Sequence, residues 1–282
     1  MKKPVFELIR KFSCNYFEGD GSEGMSRPHY HDAYEFIFLA EGKRYINFNG
    51  MRLPMEEGDI FFAPPFVQHM TQGSDSERCR RYVVNFSMDD FLPYFGENEF
   101  AAVIKNLSVG IIHLDEKQCR TLAGLFEMLR YYEGSYGELE MKLELSQFFI
   151  ILNFVSSVAA GQQPAGNSAG GGRADNRAVS EAVEYVKRNY MEDITLDMAA
   201  EYVHLSKSQF CRVFKLCTGT TFSRYLNCYR NTKAHILISG TDMPLHEIAA
   251  RTGFSSTEHM TRTFESLFGM SPSDWRRKYG KS

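Results

Sequence analysis

The sequence has no CxxC pair and no finger spacing among its six cysteines, Cys14, Cys79, Cys119, Cys211, Cys217 and Cys228. That pattern argues against a disulfide framework and against a cysteine zinc site, and predicts free thiols in a reducing cytosol. The N-terminal MKKPVFELIRKF lacks a sustained apolar stretch, so no signal peptide is expected. Long hydrophobic runs are missing too. The most apolar, Phe148 to Ala160, reads as too short to span a bilayer and contains Asn153, Ser156 and Ser157. A soluble, cytoplasmic protein without a membrane partner is the expectation. Charge of one sign is also lacking: 282 residues carry a net charge of only −3, so no overall basicity advertises a nucleic acid.

What charge there is divides unevenly. Residues 1–175 hold 17 Lys and Arg against 24 Asp and Glu, a net of −7, whereas residues 176–282 hold 15 against 11, a net of +4. Between the two parts lies AAGQQPAGNSAGGGRAD, 159–175, rich in Gly, Ala, Ser and Gln and without apolar periodicity. Such a stretch buries too little surface to offset the entropy of ordering it, which predicts a flexible linker.

Residues 1–113 favour strands. AYEFIFLAEG, KRYINFNG, GDIFFAPP and RRYVVNFS are short, aromatic or β-branched, and bounded by Gly, Pro or Asn, as in a β-barrel or sandwich. Residues 114–158 read as a helical hairpin. Leu122, Leu125, Phe126 and Leu129 recur at helical spacing, and after Gly137 a second helix carries Leu145, Phe148, Phe149, Ile151, Leu152 and Val155. Its wide apolar surface fits either an intrachain core or a dimer interface. Residues 176–282 read as wholly helical, beginning with Val179, Ala182, Val183, Val186 and Tyr190 on one stripe. The fold class expected is α+β and multidomain.

The helical part repeats itself. Leu196 matches Leu245 and Ala200 matches Ala249 at an offset of 49; Arg212 matches Arg262, Phe214 Phe264, Gly219 Gly269, Ser223 Ser273 and Tyr225 Trp275 at 50. The one inserted residue falls in a turn, where insertions cost least. Each copy has the parts of a helix-turn-helix, at about 195–217 and 244–268, with a connecting helix at about 222–239. Ala200 and Ala249 allow close helix crossing. His204-Leu205 and Gly253-Phe254 make the turns, and Ser206, and Ser255 or Ser256, offer capping hydroxyls. The second helices bury Phe210, Val213 and Phe214, or Met260, Phe264 and Leu267. Their other faces show Lys207, Ser208, Gln209 and Arg212, or Ser256, Thr257, Glu258, His259, Thr261 and Arg262, as candidate DNA contacts. One helix pair with a polar face is by default a solvated surface. Two copies in one chain suit adjacent major grooves of double-stranded DNA.

HEIAARTGFSSTEHMTRTFESLFGMSPSDWR resembles the signature of the AraC/XylS family of bacterial transcription regulators, and ITLDMAAEYVHLSKSQFCRVFKLCTGTTFSRYL resembles its first helix-turn-helix. NCYRNTKAHILISGTDMPLHEIA, with Arg230, Ala234 and Leu237, is similar to the family's connecting helix. Three departures are local: His204 stands where Gly is common, His259-Met260 where an aromatic pair is common, and Glu265 where Lys is usual. The resemblance implies transcription activation, RNA polymerase as a partner, a homodimer, and a sugar or related metabolite as effector.

In the strand-rich part, His29-x-His31-x3-Glu35-x6-Gly42 and Gly58-x5-Pro64-x4-His69 resemble the two motifs of the cupin β-barrel, whose His and Glu residues can converge on a metal. Three imidazoles and a carboxylate suit Fe(II), Mn or Zn, which makes a metalloenzyme or a metal sensor one reading. Phe66 in place of Gly, and no Asn after His69, weigh against it, and regulators of this family do not generally use a metal. The favoured expectation is therefore a pocket for an organic effector lined by His29, His31, Glu35 and His69, with no metal, no cofactor and no catalytic residue.

Overall fold

The computed structural model describes residues 5–7, 12–22, 24–25, 27–48, 51–75, 78–104, 106–107, 109–131, 137–162 and 173–280. The chain divides into two compact units, Met1–Asn176 and Arg177–Ser282.

The first unit is built on two five-stranded sheets. One holds β1 (Val5–Glu7), β3 (His29–His31), β8 (His69–Gln72), β5 (Arg44–Phe48) and β6 (Met51–Met55), in that spatial order. The other holds β10 (Gly110–Ile112), β7 (Ile60–Ala63), β4 (Tyr34–Glu41), β9 (Cys79–Phe86) and β2 (Ser13–Gly19). All pairings are antiparallel except β1 with β3. Successive side chains of a strand point to opposite faces, so a strand buried on both sides reads as a continuous apolar run. That is why YEFIFLA does not alternate. On one face of β4, Ile37 and Leu39 meet Ile46 and Phe48 of the opposite sheet and Phe61 of β7. On the other, Phe36 and Phe38 meet a layer of helices.

Those helices are α1 (Met88–Phe91), α2 (Glu97–Ile104), α3 (Glu116–Arg130) and α4 (Glu138–Gly161). The first two correct the strand-only reading of residues 1–113. Neither is long enough to display a repeating stripe, and both form because Phe91, Phe100 and Val103 pack onto the second sheet. Asp115 caps α3 in a capping box with Gln118. Five of the six apolar residues singled out in α4 (Leu145, Phe148, Ile151, Leu152 and Val155) are buried in this core; the Phe148 ring lies 5.1 Å from Phe86. The intrachain core thus takes most of that surface, leaving Leu139, Leu143 and Ile150 exposed on one stripe. At 24 residues α4 is long and apolar enough to cross a membrane by length and composition, which corrects the estimate made from Phe148–Ala160 alone. Only part of its apolar surface is spent on the sheet.

The second unit is helical: most of α5 (Arg173–Asn189), then α6 (Leu196–Tyr202), α7 (Lys207–Thr218), α8 (Phe222–Gly240), α9 (Leu245–Arg251), α10 (Thr257–Phe268) and α11 (Pro272–Tyr279). The ends of the stretch expected as linker are helical. α4 continues through Ala159 and Ala160, residues of the highest helix propensity, to Gly161, and α5 starts at Arg173. The rest of that linker expectation, 163–172, lies outside the described residues.

Candidate nucleic-acid interface and effector site

The two helix pairs, α6–α7 and α9–α10, are closed by the same main-chain bonds. Leu205 N donates to Ala200 O at 2.9 Å, and Phe254 N donates to Ala249 O at 2.9 Å. Both closures need one residue in the left-handed region. His204 takes it at φ 57°, Gly253 at φ 78°. Ser206 caps α7 through Gln209 N, and Ser256 rather than Ser255 caps α10, accepting from His259 N at 3.1 Å. Ser255 is therefore the inserted residue. Both second helices end on a left-handed glycine, Gly219 and Gly269. Their inner faces match as well: the Phe214 ring meets Tyr225 edge-on at 5.5 Å, and Phe264 meets Trp275 edge-on at 6.1 Å.

The outward faces carry the candidate DNA contacts, but not all in the same state. Ser208 and Arg212 on α7, and Glu258 and Arg262 on α10, are exposed. Thr257, His259 and Thr261 are half-buried. Lys207 Nζ is held 2.9 Å from Asp197 Oδ2 on α6, and Gln209 Oε1 accepts from Ser206 N and Oγ, so these two already serve the helix pair. The His259 ring lies edge-on to Phe254 at 5.4 Å, and burial, with Arg262 and Arg230 nearby, lowers its pKa. Both causes favour the neutral ring. Charge separates the twins: α7 displays Lys207, Arg212 and Lys215 with no acid, whereas α10 displays Arg262 against Glu258 and Glu265.

In the first unit, His29, His31, Glu35 and His69 come together and all four are buried. Two sheets contribute: His29 and His31 from β3, His69 from the adjoining β8, and Glu35 from β4 across the barrel. His29 and His69 are ladder partners. One ligand atom of each residue lies within 4.8 Å of the others. Glu35 Oε1 is 2.9 Å from His69 Nε2, and Oε2 is 3.3 Å from His31 Nε2. Burial disfavours the Glu35 charge, but His69 and the hydrogen bonds from both rings hold its carboxyl well below the usual carboxylate range. Burial lowers His31, yet bonding to Glu35 outweighs it and leaves the ring raised. Burial, with His69 alongside, pushes His29 down to about 3. Sequence reasoning missed Asn85, the ladder partner of Glu35 on β9 and so on its face of the sheet. Its Oδ1 is buried without a hydrogen-bond partner among the described residues. No spacing rule links the two, because their pairing is set by strand register.

Two family models match the chain: an AraC-like ligand binding domain over residues 16–149 and a helix-turn-helix domain over 199–278. The chain belongs to the AraC/XylS family of bacterial transcription regulators. Among similar proteins, the HTH-type transcriptional activator RhaS of Enterobacter sp. (strain 638) is 25% identical over 254 residues, 88% of this chain and 87% of that protein. The HTH-type transcriptional regulator YdeC of Bacillus subtilis (strain 168) is 22% identical over 88% of this chain and 85% of its own. The C-terminal domain of AraT, a response regulator from Geobacillus stearothermophilus, is 31% identical over 37% of this chain and 88% of that one, with a TM-score of 0.36. In this AraC-family regulator the ligand-binding domain holds the His–Glu cluster, and the DNA-binding domain holds both helix pairs.

Proposed function

We propose that this regulator activates transcription from specific DNA sites as a homodimer, under the control of a small effector bound by the N-terminal barrel at His29, His31, Glu35 and His69. The observation carrying the DNA reading is the twofold recurrence of one helix pair, with the same turn bond, serine cap and terminal glycine. A bundle held only by packing has no need to present two such polar faces. α7 and α10 enter adjacent major grooves, where Arg212 and Arg262 set register and, with Ser208, Thr257, Glu258, His259 and Thr261, choose sequence. Lys207 and Gln209 reach DNA with the donors that their present bonds leave over. Activation is carried over from the family and from relatives such as RhaS, and RNA polymerase as a partner from the family alone. The sugar-like class of effector rests on the family alone. Effector binding shifts a pre-existing equilibrium in how the DNA-binding domains are presented.

Selection from random duplexes tests this directly. A recovered motif with two unlike halves is expected, and Arg262→Ala should weaken binding at one half far more than at the other. A selection that returns no motif would leave only a non-specific DNA binder.

A further inference from the structure

Arg230 sits near the middle of α8, the helix that joins the two helix pairs, and is 7% exposed. Its guanidinium reaches the segment that leads into α6. Nε donates to the Tyr190 carbonyl at 2.8 Å, and Nη2 donates to the Glu192 carbonyl at 2.7 Å. That segment is fixed to the first helix pair: Ile194 is buried, and Thr195 caps α6 by accepting from Met198 N at 3.2 Å. The second helix pair closes on the same point. Gly253, in the turn between α9 and α10, lies so near that a Cβ there would collide with the Tyr190 carbonyl oxygen. It would also stand 2.9 Å from Arg230 Nε and 3.0 Å from Met191 Cα. The Phe254 ring centroid is 6.0 Å from the guanidinium carbon. One residue further along α8, Asn231 Nδ2 donates to Thr263 Oγ1 of α10 at 2.9 Å. The entry to one helix pair, the connecting helix and the turn of the other therefore meet at Arg230.

Stability alone is a poor reason for a charge in this place. Burial lowers the pKa of Arg230 against the pull of Asp193, and both its bonds go to neutral carbonyls. Taking a charge out of water is costly, and an apolar side chain of similar size avoids that cost. What a planar guanidinium adds is direction, because two donors in one rigid fork fix two carbonyls at once. We propose that Arg230 fixes the separation of α7 and α10, and with it the spacing between half-sites that the protein accepts. Arg230 is a positioning residue: it is buried and acts through the main chain of residues 190–192, not on DNA. The proposal rests on the reading of α7 and α10 as the helices that enter DNA. Adding or removing one base pair between two half-sites moves the far one by about 3.4 Å and turns it by about 35°. Helix pairs locked together at this junction cannot follow that shift, whereas pairs released from it can follow part of it.

The full-length chain is first put through random-duplex selection. Affinity is then measured for the selected site and for the same site with one base pair added or removed between its halves. The wild-type protein should lose at least about 10-fold for either change. Arg230→Met keeps much of the stem and removes both bonds. It should bring that loss below about 3-fold while binding more weakly at the original spacing. Arg230→Lys keeps the charge without the fork and should fall between the two; it carries the test if the methionine variant does not fold. A residue that only stabilised the fold would lower the active fraction, weakening all three duplexes by one factor and leaving their ratios as in the wild type. Unchanged ratios in the folded variants, or a wild-type protein that tolerates the altered spacing, would overturn this inference and leave the DNA reading standing. A selection without a motif would overturn the DNA reading and this inference with it.

Discussion

Phe66 and His204 sit on backbone that favours glycine, at φ 65° and 57°, and among the described residues they are the two non-glycine residues with positive φ. A side chain in that region costs about 1–2 kcal/mol. At His204 the residue closes a turn whose twin uses Gly253, so the two can be exchanged in thought. His204→Gly should stabilise the C-terminal unit by about 1 kcal/mol, the relief of strain less the greater freedom of glycine in the unfolded chain. Gly253→Ala should destabilise it by about 3 kcal/mol, because a Cβ there would collide with the Tyr190 carbonyl and crowd Met191 in addition to the φ strain. Thermal unfolding of the two variants gives opposite shifts if this is right. The sequence reveals such a site through its twin as well as through the family resemblance: His204 is recognisable because Gly253 occupies the equivalent place. Phe66 has no twin, so its left-handed backbone emerged only with the fold, where its N–H reaches the His31 carbonyl at 2.7 Å. Cys211 supplies a second residue-scale check. It is exposed beside Arg212, whereas Cys217 and Cys228 are buried, and burial pushes the Cys228 thiol up to about 11. Under native conditions a thiol reagent should label Cys211 well before those two, and a selected DNA site should slow that labelling at least several-fold. Equal rates with and without DNA would place α7 away from the groove.

Element by element, legibility followed periodicity. α7 and α10 were visible because each carries caps, a buried stripe and a matching partner fifty residues away. α1 and α2 were not, since helices of four and eight residues owe their existence to a sheet that forms from distant segments. All four members of the cluster were legible from their motifs, though not the ladders that bring them together. His29, His31 and Glu35 sit close in sequence, but His69 joins them only through the β3–β8 ladder, and Asn85 only through β4–β9. Charge on the twin helices gives a prediction at this scale. Each phosphate contact contributes about one to the slope of log affinity against log salt. Lys215→Ala on α7 should reduce that slope by about 1, whereas Glu265→Lys on α10 should increase it by about 1 and tighten binding several-fold at low salt. Salt titrations of DNA affinity read both. An unchanged slope for Lys215→Ala would remove it from the interface.

For the whole molecule, the unmatched surface of α4 matters most. Leu139, Leu143 and Ile150 follow one helical stripe and are 63%, 41% and 52% exposed. With Leu145, Phe148, Ile151, Leu152 and Val155 committed to the core, this apolar stripe is available to a second copy. Ile150→Glu should convert the proposed homodimer to monomer in sedimentation equilibrium while leaving the far-ultraviolet circular dichroism unchanged; a variant that stays dimeric would move the interface elsewhere. The unequal charge of α7 and α10 has a consequence in time as well as in strength. Electrostatic attraction acts at a distance and speeds encounter, whereas short-range fit acts only after docking and slows departure. Arrival at DNA should then be governed by the first helix pair and fall steeply with ionic strength. The second pair, nearly charge-balanced on its outer face, should then govern how long the protein stays.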